Sequence, residues 1–281
     1  KENGYYNLFF MTHEGQYDNM NAFFRTNGYD EVFSQEDYPA DKVVNSFGVQ
    51  DDFLYDYAVP VLNRRAATGE PFFATLLSIS NHPPYVIPPF FHPKTSEPET
   101  QIVEYADWAL RKFFEEARKQ PWFDNTIFVL EGDHGKLVGD AECELPESYN
   151  HIPLMIYSSR IHPEERNTFG GQVDIQPTIL GLLNIDYLQN NFGVDLLKEK
   201  RPCMFYTADN MIVGRNDTLL YLYNYETQQE FTYHIDNGKL KAVPMDDHFL
   251  PLKEYSFSML QSAEFLVKHG KTVNSVPFTQ Q

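Results

Sequence analysis

The chain opens on Tyr5-Tyr6-Asn7-Leu8-Phe9-Phe10-Met11, a nearly unbroken apolar run that stops at Thr12-His13-Glu14-Gly15. A strand buried on both faces reads this way, because neither face alternates with water. Asn21 to Arg25 predicts a short helix ended by Asn27-Gly28. Phe53, Leu54, Tyr57, Ala58, Val61 and Leu62 recur at helical spacing, in a helix expected to end near Thr68-Gly69. Phe72 to Ile79 predicts a second buried strand. Pro83, Pro84, Pro88, Pro89, Pro93 and Pro98 then exclude regular structure from Ser80 to Glu99 and predict a fixed loop. Ile102, Val103, Ala106, Leu110, Phe113, Phe114 and Ala117 mark one face of a long helix. Two more buried strands are expected at Thr126–Leu130 and Ile152–Tyr157. Asp174 is placed to cap a helix through Leu183, with Pro177 in its first turn.

Strands alternating with helices predict an α/β fold, a mainly parallel sheet with helices on both faces. Tyr5–Met11, Phe72–Ile79 and Thr126–Leu130 are expected as parallel neighbours. The texture changes near Arg201. Short strand-like runs at Tyr206, Leu219–Tyr225, Phe231–Ile235 and Leu240–Val243 follow, with a two-residue hairpin turn at Asn237-Gly238 and an amphipathic helix from Lys253 to His269. This divides the chain into a catalytic-type α/β domain over residues 1–200 and a small α+β subdomain over 201–281.

Composition narrows the partners. With 22 Lys+Arg against 40 Asp+Glu the net charge is −18, the wrong sign for a nucleic-acid backbone or an anionic lipid surface. No apolar run reaches the 18 or so residues that a membrane-spanning helix needs. The abrupt start at Lys1, directly before a strand, reads as a cut inside a larger protein. Cys143 and Cys203 permit one disulfide without demanding it.

Three expected strands end in histidine-bearing loops: Thr12-His13-Glu14, Ser80-Asn81-His82 and Asp133-His134-Gly135. Ligands of parallel sheets bind beyond the carboxyl ends of the strands, so these loops are expected to converge on one crevice. Asp133 and His134 can both reach one cation if the backbone turns, as Gly132 and Gly135 allow. Carboxylate with imidazole suits Mn²⁺ or Zn²⁺ better than Ca²⁺. Glu131 is expected to point to the opposite face. Each histidine also has a plainer reading, as a hydrogen-bonded loop residue.

The segments Leu77-Ser78-Ile79-Ser80-Asn81-His82-Pro83-Pro84-Tyr85, Glu131 to Gly135, Tyr149-Asn150-His151-Ile152-Pro153-Leu154 and Val173 to Thr178 follow one another in an order that resembles the lipoteichoic acid synthase-like group of the alkaline phosphatase/sulfatase superfamily. The resemblance runs from Tyr5 to about Leu197. It implies an N-terminally truncated sulfatase-like fold and a metal held by residues matching Asp133 and His134. A further Glu ligand and a nucleophilic Thr would come from earlier in such a protein, so this chain is expected to lack its own nucleophile and to be inactive alone. His82 matches a histidine that contacts the substrate phosphate or leaving group. His13, Asn81 and His151 are assigned to substrate binding. Where the family's glycerol-phosphate polymerising members carry a Trp and an Arg, Asp18 and Met20 stand here, which weakens bidentate phosphate recognition.

The resemblance thus implies a phosphoglycerol or phosphoethanolamine transferase, or a sulfatase-like hydrolase, with Mn or Zn as cofactor (Ca if a sulfatase). Its substrate would be a phospholipid head group, a glycan or a sulfate ester. It would work outside the cytoplasm at the cell envelope, held to the membrane by an upstream segment. The alternative is a non-catalytic remnant that binds a ligand or partner in the same crevice.

Overall fold

A computed structural model describes residues 1–137, 139–189 and 191–272. The chain divides into two compact units, Lys1–Phe128 with Tyr157–Ile161, and Val129–Ile156 with the chain from His162 onward.

In the first unit β1 (Tyr6–Met11) is the middle of a three-stranded parallel sheet. After it come α1 (Met20–Thr26), β2 (Glu31–Phe33), the short antiparallel pair β3 (Val43–Asn45) and β4 (Gly48–Val49), and α2 (Asp51–Ala66). Next are β5 (Phe72–Leu77) and α3 (Pro98–Ala117). The strand order is β2-β1-β5, with Leu8 opposite both Glu31 and Ala74.

Alternation along β1 explains why the sheet carries helices on both faces. Leu8 and Phe10 pack with Leu54, Ala58, Val61 and Leu62 of α2 and with Phe113 and Ala117 of α3. Phe9 and Met11, on the other face, pack with Val32 and with Met20 and Phe24 of α1. Each fully buried Leu, Val, Phe or Met among these stabilises the fold by roughly 1.5–3 kcal/mol through lost hydration. β5 is less buried than its apolar run suggested, with Phe73 43% exposed, because it flanks only one strand of this sheet.

β6 (Phe128–Glu131) and β7 (Leu154–Tyr157) form a separate two-stranded pair. Thr126–Leu130 was expected beside β1 and β5. The structure instead hydrogen-bonds this strand to β7, a pairing that apolar content alone could not select.

The second unit contains α4 (Ile175–Leu182) and then β8 (Met204–Ala208), β9 (Met211–Arg215), β10 (Leu219–Asn224), β11 (Gln229–Asp236) and β12 (Lys239–Ala242). These five strands make an antiparallel meander, and α5 (Leu250–Lys268) packs on it. Asn237 and Gly238, at φ 48° and 73°, make the expected hairpin between β11 and β12. Asp209 and Asn210, at φ 47° and 63°, turn β8 into β9 in the same way. β9 escaped the sequence reading because Gly214 interrupts its apolar run. That glycine admits α5, since a Cβ there would lie 2.3 Å from Ser256 Oγ.

Asp174 stands just before α4 but makes no side-chain cap bond to it. Its carboxylate accepts instead from the N–H groups of Gly171 (2.8 Å) and Val194 (2.8 Å) and from Arg201. A fully buried carboxylate needs a counter-charge more than a helix needs a cap.

Candidate functional site

The turn after β1 is built around buried polar atoms. Thr12 and His13 are 0% and 1% exposed. Gly48 lies against them at φ +87°, and a Cβ there would fall 1.8 Å from the Thr12 carbonyl oxygen. Glu36 closes the turn by accepting from the Gly15 N–H (3.1 Å) and the Ser34 hydroxyl (2.7 Å). Lost hydration works to raise its pKa. The bonds from Ser34 and the backbone, aided by His13, outweigh this and hold the carboxyl below its ordinary range. In the segment that follows, Asp18 and Asn19 both take left-handed backbone, φ 48° and 58°.

The loop after β5 hangs from the start of α2. Asp51, 2% exposed, accepts from the N–H groups of Ile79 (2.9 Å) and Ser80 (3.0 Å). Burial raises the Asp51 carboxyl above its usual range, and those same bonds oppose the rise. Ser80 donates to Gln50 Oε1 (3.0 Å), and Gln50 Nε2 donates to the Val86 carbonyl (3.0 Å). The proline-rich segment is thereby fixed at its first residue and again past its first prolines. Asn81 and His82 project from it, exposed.

Two aromatic rings stand between His13 and His82 in this unit. Tyr17 lies 4.5 Å from His13, Phe47 6.3 Å from Tyr17, and His82 4.3 Å from Phe47, centroid to centroid. His13 is therefore covered and His82 is open. Tyr17 and Phe47 form the wall between them, and neither was singled out in the sequence. Isolated aromatics in a chain this rich in Tyr and Phe carry no signal.

In the second unit, Asp133 and His134 stand side by side at the end of β6, both largely exposed, with Nε2 of His134 3.7 Å from Asp133 Oδ2. Gly135 is required by space rather than by dihedral angle. A Cβ on it would lie 2.0 Å from the Ser148 carbonyl, and its N–H donates to the Tyr149 carbonyl at 2.8 Å. The 147–151 segment is thus the neighbour of the metal-type loop. Exposed His151 belongs to it, its N–H donating to the Glu147 carbonyl at 2.8 Å. Ser148 Oγ and Asn150 Nδ2 on the same segment are buried without a hydrogen-bond partner. Gln172 also reaches the loop and donates to the carbonyls of Gly132 (3.2 Å) and Asp133 (2.8 Å). Glu131 has its carboxyl raised, first by lost hydration and then by the charge of Asp133.

One local geometry recurs at all three histidine loops. The Nδ1 of His13, His82 and His134 lies 3.2, 2.7 and 2.7 Å from the carbonyl oxygen of the next residue, Glu14, Pro83 and Gly135. A carbonyl only accepts, so each Nδ1 carries a proton, which leaves Nε2 as the lone-pair position of the uncharged form. For His134 that atom faces the Asp133 carboxylate. The pair offers one oxygen and one nitrogen donor, a set that suits Mn²⁺ or Zn²⁺. Among the described residues no group of three or more His, Cys, Asp or Glu is placed to hold an ion. Cys143 and Cys203 are free thiols, and burial pushes Cys143 up to about 11.

Residues 1–185 match the family model described as Sulfatase. The chain is 26% identical over 247 residues to lipoteichoic acid synthase 1 of Bacillus subtilis (strain 168), a match covering 80% of this chain and 37% of that protein. It is likewise 26% identical over 207 residues to the lipoteichoic acid synthase of Staphylococcus saprophyticus, covering 64% and 31%. The chain therefore spans about a third of the length of these relatives. Among solved structures, a protein in the alkaline phosphatase superfamily from Vibrio parahaemolyticus superposes with a TM-score of 0.82 at 27% identity, covering 94% of this chain and 66% of that one. The lipoteichoic acid synthase LtaP of Listeria monocytogenes superposes with a TM-score of 0.80 at 21% identity, covering 99% and 72%, a likeness of fold.

Proposed function

The chain belongs to the sulfatase family, in its lipoteichoic acid synthase-like part, and from that premise we propose that it forms part of a metal-dependent enzyme that transfers or hydrolyses phosphate diesters or sulfate esters. The observation that carries this reading is the Asp133–His134 pair, with its imidazole tautomer set by Gly135 and its Nε2 turned toward the carboxylate.

Asp133 and His134 would hold a divalent cation, Mn or Zn (Ca in a sulfatase). When bound, it would neutralise charge on the ester and favour the alkoxide form of an attacking hydroxyl. Asp133 contributes the negative charge that draws a cation, and the His134 N–H to Asp133 Oδ1 bond, 2.9 Å, restrains the carboxylate. In its imidazolium form, with a second proton at Nε2, His82 is the acid that protonates the leaving alkoxide, held in place by its Nδ1 bond to Pro83 and its contact with Phe47. Asn81, His13 and His151 serve the ester and its leaving group, with His13 acting through the ring wall that covers it.

The substrate is a phospholipid head group, a glycan or a sulfate ester. The wall of Tyr17 and Phe47, together with Asp18 and Met20 in place of a Trp and an Arg, favours a substrate gripped by ring faces over one clamped by a guanidinium. The enzyme would act outside the cytoplasm at the cell envelope, anchored by an upstream segment. Among the described residues no helix is long and apolar enough to cross a membrane.

The test is an assay of the full-length protein that contains this chain, on phosphoglycerol lipids, phosphoethanolamine lipids and aryl sulfates, with its Asp133→Ala and His82→Ala variants. Metal-dependent turnover of one ester class, lost in Asp133→Ala and lowered about 10²–10⁴-fold in His82→Ala, is expected. Full activity in Asp133→Ala would sink the reading, and inertness toward every ester would favour a binding remnant.

A further inference from the structure

Gln172 was marked by neither its residue type nor its position, yet its one amide group donates to two consecutive carbonyls, those of Gly132 and Asp133. Both belong to the loop that presents Asp133 and His134. The backbone on which Gln172 sits is itself fixed. Gly171 donates to Asp174 Oδ2, Val194 donates to Asp174 Oδ1, and Arg201 clasps the same buried carboxylate while also donating to the Phe192 carbonyl at 2.8 Å. A continuous set of bonds therefore runs from a buried ion pair to the edge of the Asp133–His134 loop, all of it within the second unit.

We propose that Gln172 is a positioning residue for the Asp133–His134 pair, holding the two carbonyls so that carboxylate and imidazole Nε2 stay side by side. This rests on the reading of that pair as cation ligands. The physical case is that both ligand side chains are exposed and gain nothing from packing. Their placement is then set by the backbone beneath them, and the two carbonyls that Gln172 grips precede and include Asp133. Removal of such outer contacts typically weakens a metal site 10–100-fold.

The test uses the 281-residue chain with Mn²⁺ as the probe, read by paramagnetic broadening of the His134 ring signals, which reports weak binding as well as strong. Gln172→Met keeps length and volume but removes the donor, and Gln172→Ala removes both. Each is expected to raise the Mn²⁺ concentration for half-broadening about tenfold. Each should also speed hydrogen exchange at the Gly135 amide in the metal-free chain, with the unfolding midpoint unchanged. A Gln172→Met chain that broadens and exchanges like the parent overturns the proposal, whatever Gln172→Ala does, since only bulk would then matter. Asp133→Ala is the separate control. If it broadens like the parent, the cation reading fails, and the exchange rate at Gly135 still decides whether Gln172 holds the loop.

Discussion

Arg201 holds Asp174 through two guanidinium nitrogens, Nε at 3.0 Å to Oδ2 and Nη2 to Oδ1. The arginine side chain is 7% exposed and the carboxylate 0%. A buried pair of this kind stabilises little in net terms, but breaking it strands a charge. Arg201→Met should therefore cost about 3–5 kcal/mol, and Asp174→Asn a similar amount. The double variant should lie closer to the parent than the sum of the two, because no lone charge then remains. Urea unfolding of the four chains checks this, and strict additivity would refute the coupling.

Gly135→Ala forces a Cβ onto the Ser148 carbonyl, where the present backbone leaves 2.0 Å. The loop must move by more than an ångström, because the obstacle is backbone and not a flexible side chain. We expect a loss of about 1–3 kcal/mol, as for other overpacked sites. The His134 ring signals should shift while those of His82 stay in place. Unchanged His134 signals would show that the 147–151 segment does not brace the loop.

Glu36 gives the turn after β1 a pH dependence. Its folded pKa is lowered. Its stabilising contribution is therefore present above the ordinary glutamate value, roughly 4.3, and is lost as pH falls from there through the lower folded pKa. The carboxylate meets solvent, so screening holds the effect to a few tenths of a kcal/mol up to about 1. The gap in stability between the parent and Glu36→Gln should shrink as pH falls below about 4. A gap that stays constant down to acid pH would exclude the ionised form as its source.

The 281-residue chain, tested alone with Mn²⁺ or Zn²⁺ added, should turn over neither phosphodiesters nor sulfate esters. Asp133 and His134 supply two ligands, whereas zinc and its neighbours usually take three or four. Turnover by the pure chain that disappears in Asp133→Ala would establish a complete site within these residues.

Much of the fold was legible because burial on two faces leaves a local mark. The apolar run of β1, the 3.6-residue repeats of α2 and α3, and the proline density after β5 each needed no distant partner to be read. The Asn237-Gly238 hairpin was equally plain, since its two positive φ values select those residue types. His13, His82 and Asp133-His134 could be placed at strand ends because a polar loop interrupts an apolar run there.

The rest depended on which segments meet. The partner of β6 is β7, a choice made by hydrogen bonding between strands that residues 132–153 separate. Asp174 sits in a capping position and serves Arg201 instead, since a buried charge outweighs a free helix end. Tyr17, Phe47 and Gln172 resemble many other residues until the turns place them. The sequence by itself determined the α/β class, the strand ends and the histidines that ride on them, because these follow from local periodicity and turn chemistry. Only the tertiary structure decided that His13 is covered while His82 is open, that Gly135 is needed for space, and that Gln172 grips the Asp133 loop. Those facts are distances between segments far apart in the chain, and no local pattern encodes them.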